Sequence, residues 1–209
     1  MESANADQRR AAGERTRARL MDAAMDCLAV RGEEGVTLRE VTDAADANVA
    51  AVSYHFGSLQ SLFDAAIEHA LERYLDAQQA AVSALPREST LEELAAAFAQ
   101  PMIGALSKGG RDRAVIRIVA RGGIDPPEGW DRFDARFDAI RADVLQVLKA
   151  HLPGVRAPEL IFRTRCAAGM MNWLALAQVR GELSGKSEKQ AERLLVPIVA
   201  GAFRGASSA

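Results

Sequence analysis

Residues 53 to 55 are Ser53, Tyr54 and His55: a hydroxyl, a phenol and an imidazole in consecutive positions. Such groups can shuttle protons when a nucleophile and a base are held together. They can equally hydrogen-bond phosphates, sugars and base edges. The chain favours the second use. It has no metal-ligand cluster, no glycine-rich phosphate loop and no nucleophile–base pairing, so it reads as a non-enzyme that needs neither metal nor cofactor. The surrounding stretch, NVAAVSYHFGSLQSLF at 48–63, places small residues before the polar tips, as suits close approach to a surface.

Two further sets of residues carry chemistry. Arg9, Arg10, Arg15, Arg17 and Arg19 face only Glu14 in the same stretch, a local charge of +4 that suits phosphate neutralisation. Residues 1–60 nevertheless hold seven Lys/Arg against ten Asp/Glu, a net of −3, so the pattern is a basic arm on an acidic scaffold. Arg15 and Arg17 are the arm residues assigned to DNA. Farther along, Met102, Trp130, Met170, Met171 and Trp173 supply thioethers and flat rings, which suit an adaptable apolar pocket as well as ordinary core. Asn172, inside CAAGMMNWLALA, separates these readings, because a buried amide needs a partner that a ligand can supply. The expected lining is drawn from Phe98, Met102, Phe137, Met170, Asn172 and Trp173, and the expected effector is small and apolar or aromatic.

Bulk properties narrow the class. The chain has 209 residues, 49% of them hydrophobic, enough for a substantial core. No apolar run approaches the roughly 20 residues that span a bilayer, and the charged N-terminus lacks the apolar segment of a secretory signal. Cys27 and Cys166 lie in apolar helical patterns with no second thiol or imidazole at metal spacing, which suits the reducing cytoplasm and small core residues. His69 and His151 have no partner pattern and read as surface or helix-end residues.

These groups must be positioned by helices, because helical periodicity runs almost throughout. The expected architecture is all-α with about nine helices. Leu20, Ala24, Cys27 and Leu28 form one stripe, closed by Gly32 and Gly35. Thr37 and Glu40 give a capping-box pattern for a short helix to Ala45. Asp46-Ala47-Asn48 breaks the chain before a helix from about 49 to 55, and Ser58 begins a long helix that runs towards Pro86. Later helices are punctuated by Lys108-Gly109-Gly110, Gly122-Gly123, Pro153-Gly154 and Pro158, with the last two at about 159–181 and 187–204 and a frayed tail, GASSA. Two short helices joined by a three-residue break after a supporting helix make a helix-turn-helix, whose second helix enters the major groove. Within that frame, Tyr54 and His55 are assigned to DNA rather than to interhelical packing.

The runs LMDAAMDCLAVRG, VTLREVTDAA and NVAAVSYHFGSLQSLF resemble the N-terminal DNA-binding domain of TetR-family transcriptional repressors, over about residues 15–63. The resemblance implies a homodimeric repressor with an effector-binding C-terminal domain. It places Thr37, Arg39, Asn48, Val49, Ala50, Ser53, Tyr54 and His55 where that family contacts DNA. Asp46 stands where the family commonly has Gly, and Leu59 where it commonly has a phosphate-contacting Lys.

In the last helix, Ala191, Leu194, Leu195, Ile198, Ala202 and Phe203 recur every three or four residues, a seam for a partner helix. Leu194, Leu195, Ile198 and Ala202 are the expected dimer contacts. Residues 1–57 are read as the arm and DNA-binding domain, and 58–209 as the ligand-binding and dimerisation domain. The function expected is a ligand-responsive regulator, a repressor that binds a palindromic DNA operator as a homodimer and is released by its effector. The alternative is a dimeric small-molecule-binding protein whose head no longer binds DNA specifically.

Overall fold

The computed structural model describes residues 2–31, 35–108, 110–126, 129–177 and 187–205. Among these the chain is helical without strands, in nine α-helices and one short 3-10 turn. The helices are α1 (Glu2–Arg31), α2 (Leu38–Ala44), α3 (Val49–Phe56), α4 (Leu59–Ser83) and α5 (Leu91–Lys108). They continue with α6 (Gly110–Gly122), α7 (Asp134–His151), α8 (Ala157–Ala177) and α9 (Glu188–Arg204), the 3-10 turn being Trp130–Phe133. Gly32, Gly109, the end of the penultimate helix beyond Ala177 and residues 206–209 of the tail lie outside the described residues.

Local chemistry sets most of the boundaries. Thr37 caps α2 through the full capping box: its hydroxyl accepts from Glu40 N–H, while the Glu40 carboxylate accepts from Thr37 N–H at 2.9 Å. Asn48 caps α3, its Oδ1 accepting from Ala51 N–H at 2.8 Å. Ser58 Oγ accepts from Ser61 N–H at 3.0 Å at the start of α4. Thr90 with Glu93 and Ser187 with Gln190 form two further reciprocal caps ahead of α5 and α9. Each satisfies backbone donors that a helix start leaves orphaned.

The arginine-rich stretch is not an extended arm. It forms the first turns of α1, where Arg10 and Glu14 pair one turn apart at 3.2 Å, and Ala11 and Ala12 favour the same conformation.

The chain divides into two compact units, residues 1–70 and 71–209, with α4 contributing to both. In the first, α1 packs on α2 and α3. Leu20, Ala24, Val41, Val52 and Leu62 are buried there, with Thr42 beside Val41 as a buried polar residue. In the second unit the most extensive packing is α5 on α9, followed by α6 on α8 and α8 on α9. Its core contains Leu75, Leu94, Met102, Leu148, Leu160 and Phe203. The cysteines depart from the core reading: Cys27 is only half-buried, and Cys166 is exposed on α8. The end of α9 is tied down by Arg204, which reaches Glu92 at 2.5 Å, and by Arg163, which donates to the carbonyls of Phe203 and Arg204. No helix among the described residues is long and apolar enough to cross a membrane.

Candidate nucleic-acid interface and effector cavity

The turn between α2 and α3 places Asp46 at φ 47°, the one positive-φ residue other than glycine among the described residues. Asp is among the few residues that visit this region at modest cost, which is why it serves in place of Gly. Its carboxylate lies 3.6 Å from Arg19, and its carbonyl accepts from the same guanidinium at 3.3 Å. The turn's negative charge is therefore answered locally by α1.

From that turn α3 presents two faces. Val52 is 1% exposed and anchors the helix, while Tyr54, two positions on, is 85% exposed. Val49, Ala50 and Ser53 are exposed with it. Thr37 and Asn48 are exposed but engaged as caps, so their side chains hold the helix starts in place. His55 behaves differently from its neighbours. It is half-buried beside Gly13 of α1, and its ring meets Tyr54 edge-on at 4.9 Å between centroids. Arg17 also turns towards the unit, with its guanidinium 5.1 Å from the centre of the Phe56 ring. That contact holds α1 against the end of α3. Arg15 and Arg39 are exposed, the latter 3.9 Å from Asp43.

The second unit contains a cavity of about 130 Å³. Its wall takes Tyr74 and Gln78 from α4, Phe98 from α5, Val119 from α6, Phe137 and Arg141 from α7, and Thr164, Arg165, Met171 and Asn172 from α8. Of the six residues expected to line a pocket, Phe98, Phe137 and Asn172 meet here. Met102 is fully buried in the core, and Met170 and Trp173 lie elsewhere on α8. Trp173 is 61% exposed; the indole near the cavity is Trp130, which stacks on Phe137 with centroids 6.3 Å apart. Asn172 fits because Gly123 has no side chain: a Cβ there would collide with its Nδ2. Sequence reasoning missed Gln78, Arg141, Thr164 and Arg165. Their polarity marks them as surface residues on a helical wheel; the arrangement of α4, α7 and α8 buries Gln78 and Thr164, leaves Arg141 half-buried, and sets the exposed Arg165 at the rim.

The expected partner seam on α9 divides into two faces. Leu195 is 3% exposed and packs in its own core, and Ala202 lies against that core. Leu194 and Ile198 remain about half exposed. On α8, Phe162 and Trp173 are also exposed. Of the eight large hydrophobics left exposed among the described residues, two lie on α3 and four on α8 and α9, so exposure is concentrated on these elements rather than scattered. Among the described residues there is no group of three or more potential metal ligands.

Comparison with known proteins bears on both units. Residues 20–66 match the family of bacterial regulatory proteins called the tetR family, and residues 96–202 match the tetracyclin repressor-like C-terminal domain. No curated protein matches significantly. Solved structures that share the fold include a TetR-family regulator from Thermus thermophilus (17% identity, TM-score 0.66, covering 90% of this chain and 99% of that one). A transcriptional regulator from Rhodococcus sp. Rha1 aligns at 22% identity and TM-score 0.64, over 92% of this chain and 98% of its own. A TetR-family regulator from Streptomyces coelicolor aligns at 20% identity and TM-score 0.62, over 90% and 80%.

Proposed function

The chain belongs to the TetR family of transcriptional regulators, and on that footing we propose that it is a ligand-responsive repressor. In this reading residues 1–57 form the DNA-binding head and 58–209 the ligand-binding and dimerisation domain. The single observation that carries it is the polarity of α3: Val52 buried, Tyr54 fully displayed, small residues between the cap and the tip. Val49, Ala50, Ser53 and Tyr54 enter the major groove, while Arg15, Arg17, Thr37, Arg39, Asn48 and His55 hold or supplement the contact with the backbone. The exposed apolar residues of α8 and α9, Leu194 and Ile198 with Phe162 and Trp173, support a two-fold homodimer. Such a dimer reads a palindrome, because each half-site meets an identical α3.

The effector occupies the cavity lined by α4, α5, α6, α7 and α8. It releases the operator only through differential affinity for the DNA-bound and free arrangements of the dimer. The setting is the cytoplasm, where the two cysteines stay reduced. Asp46 bears on the alternative of a head without DNA specificity. Its pairing with Arg19 keeps the turn intact and removes one reason to expect repulsion from phosphates.

Selection of binding sites from random duplexes by the purified protein tests the reading. The expected outcome is a palindromic consensus with half-sites one helical turn apart. Recovery of no preferred sequence would place the function in the C-terminal domain alone.

A further inference from the structure

The polar lining of the cavity has a sign. Arg141 and Arg165 line it, and no Asp or Glu among the described residues does. Asp138 binds Arg141 at 2.5 Å from outside the lining. Arg165 has no ion-pair partner among the described residues. Tyr74 is nine-tenths buried as a residue, while its hydroxyl is not sealed off and has no hydrogen-bond partner among the described residues. Burial pushes its phenol far above the ordinary range, so it stays protonated and remains a donor. A phenol that makes no hydrogen bond within the protein and stands in a pocket wall offers its donor to an acceptor there.

The rest of the lining joins apolar Phe98, Ile140 and Met171 to the uncharged polar groups of Gln78, Thr164 and Asn172. The pocket is partly open, and its volume of about 130 Å³ is close to that of an enclosed cavity, about 150 Å³, that takes benzene.

Resting on the reading of this cavity as the effector site, we propose that the effector is a small carboxylate. Its body is no larger than one aromatic ring or a short branched chain, its charge is met by Arg165, and Tyr74 donates a hydrogen bond to it. Amides and alcohols of the same shape lack the charge and accept the phenol's hydrogen bond less strongly.

The test uses the full chain and three matched pairs: benzoate with benzamide, phenylacetate with phenylacetamide, and 3-methylbutanoate with 3-methylbutanamide. Calorimetry at neutral pH and fixed ionic strength reads each affinity. At least one carboxylate should bind ten-fold or more tighter than its amide. Arg165→Gln should bring that ratio close to one. Tyr74→Phe should weaken the carboxylate several-fold while the unliganded protein melts no lower than the parent. The proposal is overturned if no carboxylate exceeds its amide, or if the preference survives Arg165→Gln unchanged. A parallel measurement of duplex release separates this from the function above. A carboxylate that binds through Arg165 without loosening the operator supports the ligand class and removes the effector role. An amide that loosens the operator better than its acid overturns the ligand class and keeps the role.

Discussion

The tip of α3 and the cavity of the C-terminal unit are built in opposite ways. The tip comes from one unbroken stretch, Asn48 to Phe56, and its display is enforced by contacts a few residues away: the Asn48 cap, the Asp46 turn and the Gly57 stop. The cavity draws its residues from five helices spread over about a hundred positions, and no local contact creates it. A surface made locally can be altered without disturbing the fold, whereas a cavity wall is at the same time core. Mutations should therefore separate binding from stability in the first region and confound them in the second.

The largest expected effect falls on the C-terminal unit. Phe203 is fully buried with its ring 5.7 Å from that of Phe98, and Phe203→Ala should cost about 3–5 kcal/mol in urea unfolding. Because Phe98 lines the cavity, ligand binding should weaken along with stability. Tyr54→Ala should show the opposite pattern. It should weaken specific operator binding by about 1–3 kcal/mol per half-site while the melting temperature holds, measured by titration against operator and scrambled duplexes. A fall in melting temperature as large as the loss in binding would make Tyr54 a packing residue.

The α9 seam supplies a test within one helix. Leu194→Arg with Ile198→Arg should give a folded monomer by sedimentation, since both side chains already face outward. Leu195→Arg should instead yield little folded protein, because Leu195 sits in its own core and a lone buried charge there is strongly unfavourable. If the double variant remains dimeric, the interface lies on other elements.

Smaller effects are expected in the head and at the surface. Leu59→Lys adds a cation at the start of α4 and should tighten binding to every duplex, steepening the salt slope by about one unit. Thr37→Ala removes the capping box and should cost about 0.5–2 kcal/mol, seen by chemical unfolding. The smallest effect belongs to Glu92, whose carboxyl is held below the ordinary range first by its hydrogen bond to Arg204. A group with a lowered folded pKa stabilises the fold above its unfolded pKa, and that contribution disappears as pH falls through the folded value. Glu92→Gln should therefore slightly flatten the acid limb of stability and leave neutral pH little changed.

The all-α class, most of the breaks between helices and the helix-turn-helix with its displayed tip are legible in the order of residues alone, whereas the extension of α1 back to Glu2 is not. These depend on caps, breaks and periodicity, which act over four or five residues and so are written in adjacent letters. The side of α8 that meets the cavity is not legible in that way. That helix carries apolar residues around most of its circumference, so periodicity offers no preferred face. Successive residues turn by about 100°, and that rotation is why Met171 lines the cavity where Met170 does not. The same rotation separates Leu195, buried, from Leu194, exposed. Packing between distant helices also brings Arg141 and Arg165, polar residues on any helical wheel, to one wall with a buried phenol. The position of an arginine relative to a cavity depends on which helices surround it, and those neighbours come from distant parts of the chain.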